Sequence, residues 1–340
     1  MVPSSRPTLD DVARAASVSA ATVSRAISRP DMVKSGTLAR IGEAIRSLGY
    51  IPTGPARALA SGRSGTIAAV VPTLDNAIFS RALQAMQGVL SAEGYQLLVA
   101  PHNYSMAGEA ESVRLLMSRG IDGLMLVGAE RAPELVSLLA TTGIPVLCTW
   151  IARAGEAGVT VDNERAGWIA AEHLFQLGHR RIGMVTGLQA FNDRQKARLR
   201  GVRRFLAQAG QALPDWLVSQ QPTTLAGGRV GCSTLLALSQ PPTALIGGID
   251  LIALGCVIES QARGLTVPGD ISVVGIDDLD ISAHMAPALT TVHIPTAVIG
   301  EEAGRMLIAM IRDRDSGGLI DLPVELVVRQ TSGPPRNALR

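Results

Sequence analysis

After Gly65, short apolar runs alternate with longer segments of helical periodicity, and this alternation restricts the fold more than any other feature. Unbroken runs of Val, Ile, Leu and Ala mark strands buried on both faces. Buried strands separated by helices require parallel sheets with helices on both sides. The runs at 67–71, 96–100, 123–127, 146–150, 182–186, 244–248 and 271–276 read as strands. The segments at 77–92, 164–177, 197–209 and 251–263 read as helices. Some 275 residues is large for one such sheet, so the sequence predicts two α/β lobes. Ligands of such a body bind at strand C-terminal ends, between the lobes.

The first fifty residues have a different texture. Thr8-Leu-Asp-Asp11 opens a helix as a capping box with an acid in place of Glu or Gln, and Leu9, Val12 and Ala16 share one face. Ser17-Val18 interrupts the pattern. Ser19 caps a second helix through about Ile27, and Pro30 ends it. A third runs from about Ser35 to Leu48, with Gly49 suited to its C-terminal end. Residues 51–65 are rich in Pro, Gly, Ser and Thr and read as a linker, with a short helix at 55–60 that Pro55 can begin. The division is therefore 1–50, 51–65 and 66–340.

Charge follows the same division. Residues 1–63 carry nine Lys/Arg against four acids, a net +5, which leaves −3 for the rest of a chain whose total is +2. A basic segment on an acidic body predicts an anionic partner for the first part only. The second helix turns short or polar residues outward: Ala20, Ala21, Thr22, Ser24 and Arg25. Small residues at its start let the backbone approach a major groove. Arg25 has the fork geometry for a guanine edge, and Thr22 and Ser24 can donate to phosphates. Thr8 and Tyr50 flank this unit as further candidate DNA contacts.

Several function classes lose support. Three cysteines, Cys148, Cys232 and Cys256, sit in apolar surroundings, which disfavours a disulfide framework or a multi-Cys metal site. His173, His179, His284 and His293 lack metal spacing, and His179 reads as a residue that orients a turn. No metal or cofactor is expected. No apolar run reaches membrane-span length, and the N-terminus has no uncharged signal core, so a cytoplasmic protein is expected. A phosphate-cradling P-loop, a G-x-S-x-G elbow and a G-x-G-x-x-G turn after the first core strand are all missing, which argues against an enzyme. A secreted solute-binding protein would share the two lobes but would not need the basic helices.

The runs LDDVARAASVSAATVSRAIS, LGYIP, PARALASGRSGTIAAVVP, VTVDNERAG, LGHRRIGMVTG, RLRGVRRFL and GLTVPGDISVVGIDD, in this order, resemble a LacI-type transcriptional repressor across nearly the whole chain. A gluconate-operon-repressor-like member is one form that likeness takes. The resemblance implies a helix-turn-helix headpiece, a hinge helix and a two-lobed core like that of periplasmic binding proteins. It further implies a homodimer, a double-stranded operator and a small-molecule effector. The hinge positions it assigns to the minor groove are Ala56 and Leu59, and leucine suits a wedge that unstacks a base step. Ser17 stands where a glycine is usual, Thr53-Gly54-Pro55 departs from the usual hinge start, and Ile249 replaces the usual Asn before Asp250.

Effector contacts are expected from loops after strands. Asp75 and Asn76 could bond hydroxyls while Phe79 stacks on a sugar face; both polar residues could equally cap the helix near Ala77. Trp150 could stack on a sugar or fill core. Asp162 and Asn163 read as caps at the lobe crossover. The resemblance implies ligand roles for Arg198, in its R-x-x-G motif, and for Asp277. Asn192 and Arg194 lie beside Arg198, and Arg194 and Arg198 share a face if helical. Two guanidinium groups without an acid would favour a sugar acid, such as gluconate or a phosphorylated relative, over a neutral sugar or a purine.

Overall fold

The computed structural model describes residues 7–51, 63–313 and 317–336. Its first unit comprises α1 (Leu9–Ala15), α2 (Ala20–Ser28) and α3 (Ser35–Leu48). The predicted caps are present. Thr8 Oγ1 accepts from the Asp11 amide while Asp11 accepts from the Thr8 amide, and Ser19 Oγ accepts from the Thr22 amide. Ser17 adopts φ +53° in the turn, and Gly49 closes α3 at φ +61°. Val12, Ala16, Val23, Ala26, Ile41 and Tyr50 form a small core of their own.

The body begins at β1 (Thr66–Val71) and continues with α4 (Ala77–Ala92), β2 (Gln96–Pro101), α5 (Met106–Ser118), β3 (Gly123–Val127), α6 (Pro133–Thr141), β4 (Val146–Trp150) and β5 (Gly158–Val161). The chain then crosses through α7 (Asn163–Gln176) to β6 (Ile182–Gly187), α8 (Asp193–Gln208), β7 (Val218–Gln221), α9 (Leu225–Leu236), β8 (Ala244–Gly247), α10 (Asp250–Ala262), β9 (Ser272–Asp277), α11 (Asp280–His284) and β10 (Thr290–His293). It returns through α12 (Thr296–Asp313) to β11 (Leu319–Leu322) and ends in β12 (Glu325–Val327).

Two six-stranded sheets result, ordered β11-β5-β4-β3-β1-β2 and β12-β10-β9-β8-β6-β7. All pairings are parallel except β10 with β12. The sequence anticipates seven of these strands. It does not anticipate β5, β7, β10, β11 and β12, which have three or four residues each and carry polar side chains such as those of VSQQ and TTVH. Such short runs form strands only because a neighbour supplies the ladder. Helix α8 begins four residues before the predicted 197, because Asn192 caps it through the Gln195 amide.

Helices α7 and α8 cross backbone against backbone. A Cβ at Gly167 would lie 2.0 Å from the Arg198 carbonyl oxygen, and one at Gly201 would lie 1.9 Å from that of Glu164. Gly201 is the glycine of the R-x-x-G motif, so its close contact fixes where Arg198 projects. His179 is fully enclosed and bonds Thr243, Ser272 and the Gly333 carbonyl, tying the start of β6 to β9 and the C-terminal segment.

Candidate functional site

On the first unit, Val23 and Ala26 turn inward from α2, so the opposite face is offered to solvent. Ala21 and Arg25 are exposed one turn apart, with Ala20, Thr22 and Ser24 half-buried beside them. Among the described residues no acid pairs with Arg25, Arg29, Lys34 or Arg40, whereas Arg14 pairs with Asp11 and Arg46 with Glu43. Unpaired cations therefore collect on and near α2. Thr8 is exposed, its hydroxyl 2.7 Å from Asp11 Oδ2, whereas the Tyr50 ring is buried in the small core. Ala56 and Leu59 lie outside the described residues.

In the body, β1, β3, β4, β6 and β9 direct their C-terminal ends toward one interlobe region. Phe79, on the first turn of α4, meets Trp150 edge-to-face, with ring centroids 5.2 Å apart and planes at 71°. Both rings are buried, and Trp150 holds φ +64°. Its indole Nε1 has no partner. Asn76 caps α4 through the Ile78 amide at 3.3 Å, and Asp75 is exposed. The α4 cap thus uses Asn76 and leaves the Asp75 carboxylate available.

Arg198 is the centre of the second lobe's contribution. It is 1% exposed. Its Nε donates to Asn163 Oδ1 at 3.1 Å, and its Nη1 donates to the Gly248 carbonyl at 2.7 Å and to Asp277 Oδ1 at 3.1 Å. Asn163 Nδ2 donates in turn to the carbonyls of Trp150 and Val161. Asp162 caps α7 as expected, but Asn163 does not: it links Arg198 to the ends of β4 and β5. Burial pushes the Asp277 carboxyl up to about 7, although Arg198 beside it pulls the other way. Asp277 Oδ2 has no partner. Asp250 is also enclosed, and three donors hold it: the Leu279 amide at 2.8 Å, Ser282 Oγ at 2.6 Å and Thr291 Oγ1. This anchors the turn that follows Asp277, a structural task in place of ligand contact.

Arg194 lies on the same face of α8 but faces the other lobe. Its Nη1 donates to Asp193 Oδ1 at 2.9 Å, and its Nη2 is buried without a partner. Asp193 Oδ2 accepts from the Ala129 amide at 2.6 Å, and Lys196 pairs with Glu130 at 2.6 Å. A Cβ at Gly128 would come within 2.6 Å of Arg194 Nη1. These contacts clasp the start of α8 to the loop after β3. Each cleft arginine therefore already has a carboxylate of the protein, which removes the charge argument for an acidic effector made from Arg194 and Arg198. Asn192, through its capping bond, has one oxygen committed.

Sequence reasoning did not single out His102, Glu109, Arg131 and Asp193. Both ring nitrogens of His102 are buried without partners, and burial, then the Arg194 charge, lowers its pKa to about 4. Arg131 donates to the Gly128 carbonyl at 2.6 Å and lies 4.0 Å from Glu109. One available signal was position: His102 and Arg131 follow two of the predicted strands, where ligand-binding loops lie.

Known proteins share this arrangement. The model of bacterial regulatory proteins of the lacI family matches residues 8–53, and that of the periplasmic binding protein-like domain matches residues 171–332. The transcriptional repressor PurR of Aliivibrio fischeri (strain MJ11) is 31% identical over 331 residues, covering 95% of this chain and 98% of its own. The chain belongs to the LacI family. The transcriptional regulator GntR of Pseudomonas aeruginosa is 34% identical over 337 residues, 96% of each chain. Among solved structures, the lac repressor dimer bound to operator and the anti-inducer ONPF superposes with TM-score 0.85 at 26% identity, covering 97% of this chain and 100% of that one. A complex of the transcriptional regulator CelR with cellobiose gives 0.72 at 29%, covering 96% and 100%. This LacI-family member is a DNA-binding transcriptional regulator, with a helix-turn-helix ahead of a two-lobed α/β core. Among the described residues no helix is long and apolar enough to cross a membrane.

Proposed function

We propose that this LacI-family regulator is a cytoplasmic homodimeric repressor whose operator affinity is set by a sugar or sugar acid in the interlobe cleft. Residues 1–50 act as the reading headpiece, 51–65 as the hinge with Ala56 and Leu59 at the minor groove, and 66–340 as the effector-binding and dimerising body. Two headpieces read two half-sites, since the two-fold symmetry of a dimer is mirrored in its site. Arg25 reads a base, with Ala20, Ala21, Thr22 and Ser24 allowing close approach. Edge strand β2 exposes Leu98 and Val99, and Ile281 is exposed in the second lobe, which supports a second copy covering apolar surface. The CelR neighbour holds cellobiose, which supports a carbohydrate here.

The observation that carries the effector reading is the set of buried polar atoms left without partners around the cleft: Trp150 Nε1, Asp277 Oδ2 and Arg194 Nη2. Buried polar groups are ordinarily satisfied, and a polyhydroxyl ligand supplies both donors and acceptors. No turnover is assigned to the bound molecule. The test combines a mobility shift of the full chain on a palindromic duplex with thermal melting against sugars, sugar acids and nucleobases. A saturable ligand raises the melting temperature and changes the shift. Failure to retard any palindrome selected from random duplexes would refute the regulator reading.

A further inference from the structure

The two lobes also touch away from the segments that join them. The loop after β3 connects strands of one sheet and α8 connects strands of the other, yet Asp193, at the start of α8, seats its carboxylate on that loop. Its Oδ2 accepts from the Ala129 amide at 2.6 Å and from the Glu130 amide at 3.4 Å, and its Oδ1 accepts from Arg194 Nη1 at 2.9 Å. Lys196, on the same turn of α8, donates to Glu130 Oε1 at 2.6 Å. Gly128 makes the seat. It holds φ +81°, and successive amides beside a left-handed residue form a concavity suited to an anion. A Cβ there would fall 2.8 Å from both Asp193 carboxylate oxygens, so a side chain would fill the place that the carboxylate takes.

This clasp has an open side and an enclosed side. Outside it lies an open cavity of about 490 Å³ between the lobes, whose lining includes Ala129, Glu130, Ile151, Asp193, Lys196 and Arg200. Phe79, Trp150, Arg198 and Asp277 do not line that cavity, and all four are buried. The exposures follow the same order. The Glu130 and Lys196 side chains are each 35% exposed, Asp193 is 13% exposed, and Trp150 is fully enclosed. Solvent therefore reaches the ion pair first, the seated carboxylate next and the indole not at all. The bonds are made by protein groups alone, so they oppose opening whichever molecule the cleft receives.

We infer that Asp193 on its amide seat, with the Glu130–Lys196 pair outside it, is a gate that holds the lobes shut over the cleft and releases when a small molecule enters or leaves. Asp193 carries most of the hold, because its bonds are charge-assisted and largely shielded from water, whereas the half-exposed pair is screened. The gate's purpose rests on the effector reading of the cleft.

The experiment reads entry directly, with acrylamide as the small neutral molecule and Trp150 as the probe inside. Full-length protein carrying Trp168→Phe and Trp216→Phe keeps Trp150 as its single tryptophan. In that background collisional quenching of Trp150 should be weak. Asp193→Ala should raise the quenching constant about threefold or more, because one hydrogen bond to a charged group is worth about tenfold or more in an equilibrium. Lys196→Met should raise it less, and Lys196→Glu, which sets two acids together, more than Lys196→Met. Adding Glu130→Lys to Lys196→Glu restores the pair in reverse and should bring the constant back toward wild type. Arg203→Ala breaks an exposed pair with Asp215 further along α8 and should leave the constant unchanged. Circular dichroism and urea midpoints establish that each variant is folded. No rise in Asp193→Ala, no recovery in the reversed pair, or an equal rise in Arg203→Ala would overturn the gate. Operator retardation by Asp193→Ala is measured beside it and should move about fivefold or more if lobe closure sets operator affinity. A raised quenching constant with unmoved operator affinity would leave the gate standing and count against the effector reading instead.

Discussion

On α2, Arg25 stands in solvent with no acid beside it among the described residues, whereas Arg198 in the cleft is almost inaccessible and is held by Asn163, Gly248 and Asp277. The two arginines have the same chemistry and opposite surroundings. An exposed guanidinium keeps its hydration at little cost and can pair later with a polyanion, releasing counterions. A buried one must find its acceptors within the fold, because an uncompensated buried charge is strongly unfavourable. Partnering within the chain therefore separates a surface that awaits DNA from a scaffold that shapes a pocket. Arg194 lies between these cases, with one nitrogen engaged and one free.

The largest test of this contrast is Asp277→Ala. It leaves Arg198 buried without its carboxylate and should cost about 3–5 kcal/mol of body stability. Urea unfolding of the full chain measures it. An unchanged midpoint would show that Arg198 does not depend on its partner and would break the comparison. Next, Arg25→Ala should lose roughly 1–3 kcal/mol of operator binding and relax one base position, with stability unchanged within about 0.5 kcal/mol. Equal specificity at every operator position would remove Arg25 from base readout. Smaller still, Ser19→Ala removes a cap of α2 and should cost about 1 kcal/mol in the headpiece. Amide exchange confined to residues 7–51 would sharpen the independence of the two regions.

The smallest readout is a change in pH slope. His102 has its pKa lowered from 6.5 to about 4, so in its folded environment it binds fewer protons than in the unfolded chain. Its contribution is present above pH 6.5 and is lost as pH falls toward 4. Asp277 is raised from 3.8 to about 7, so its contribution is present below pH 3.8 and is lost as pH rises through 7. His102→Ala should flatten the acid side of the stability curve, and Asp277→Asn the neutral side. Parallel curves for wild type and both variants would refute this assignment.

Much of the fold was legible because its signals are local. Capping at Thr8 and Ser19, the left-handed Gly49 and the seven longer strands each rest on residues a few positions apart. The five short strands were not legible, since three or four residues carry too little periodicity to stand out. Among candidate site residues, the sequence brought forward Arg198, Asp277, Phe79 and Trp150, which the structure gathers around one interlobe region. It gave no indication that Tyr50 would be buried in the headpiece core, or that His102 and Arg194 would line one cavity.

By itself the sequence determined where the chain is helical, which faces are apolar, that a basic helical unit precedes an acidic α/β body, and to which family the motifs belong. These follow from periodicity, caps and charge, all readable within a turn or two of chain. Only the tertiary structure decided the partners of the buried charges. Asp277 is 79 residues from Arg198, and Asn163 is 35 residues from it. His102 meets Arg194 because the chain crosses between the sheets before α8 begins. Hydrogen bonds are satisfied in space rather than along the chain, so which donors remain free depends on how the lobes close against one another.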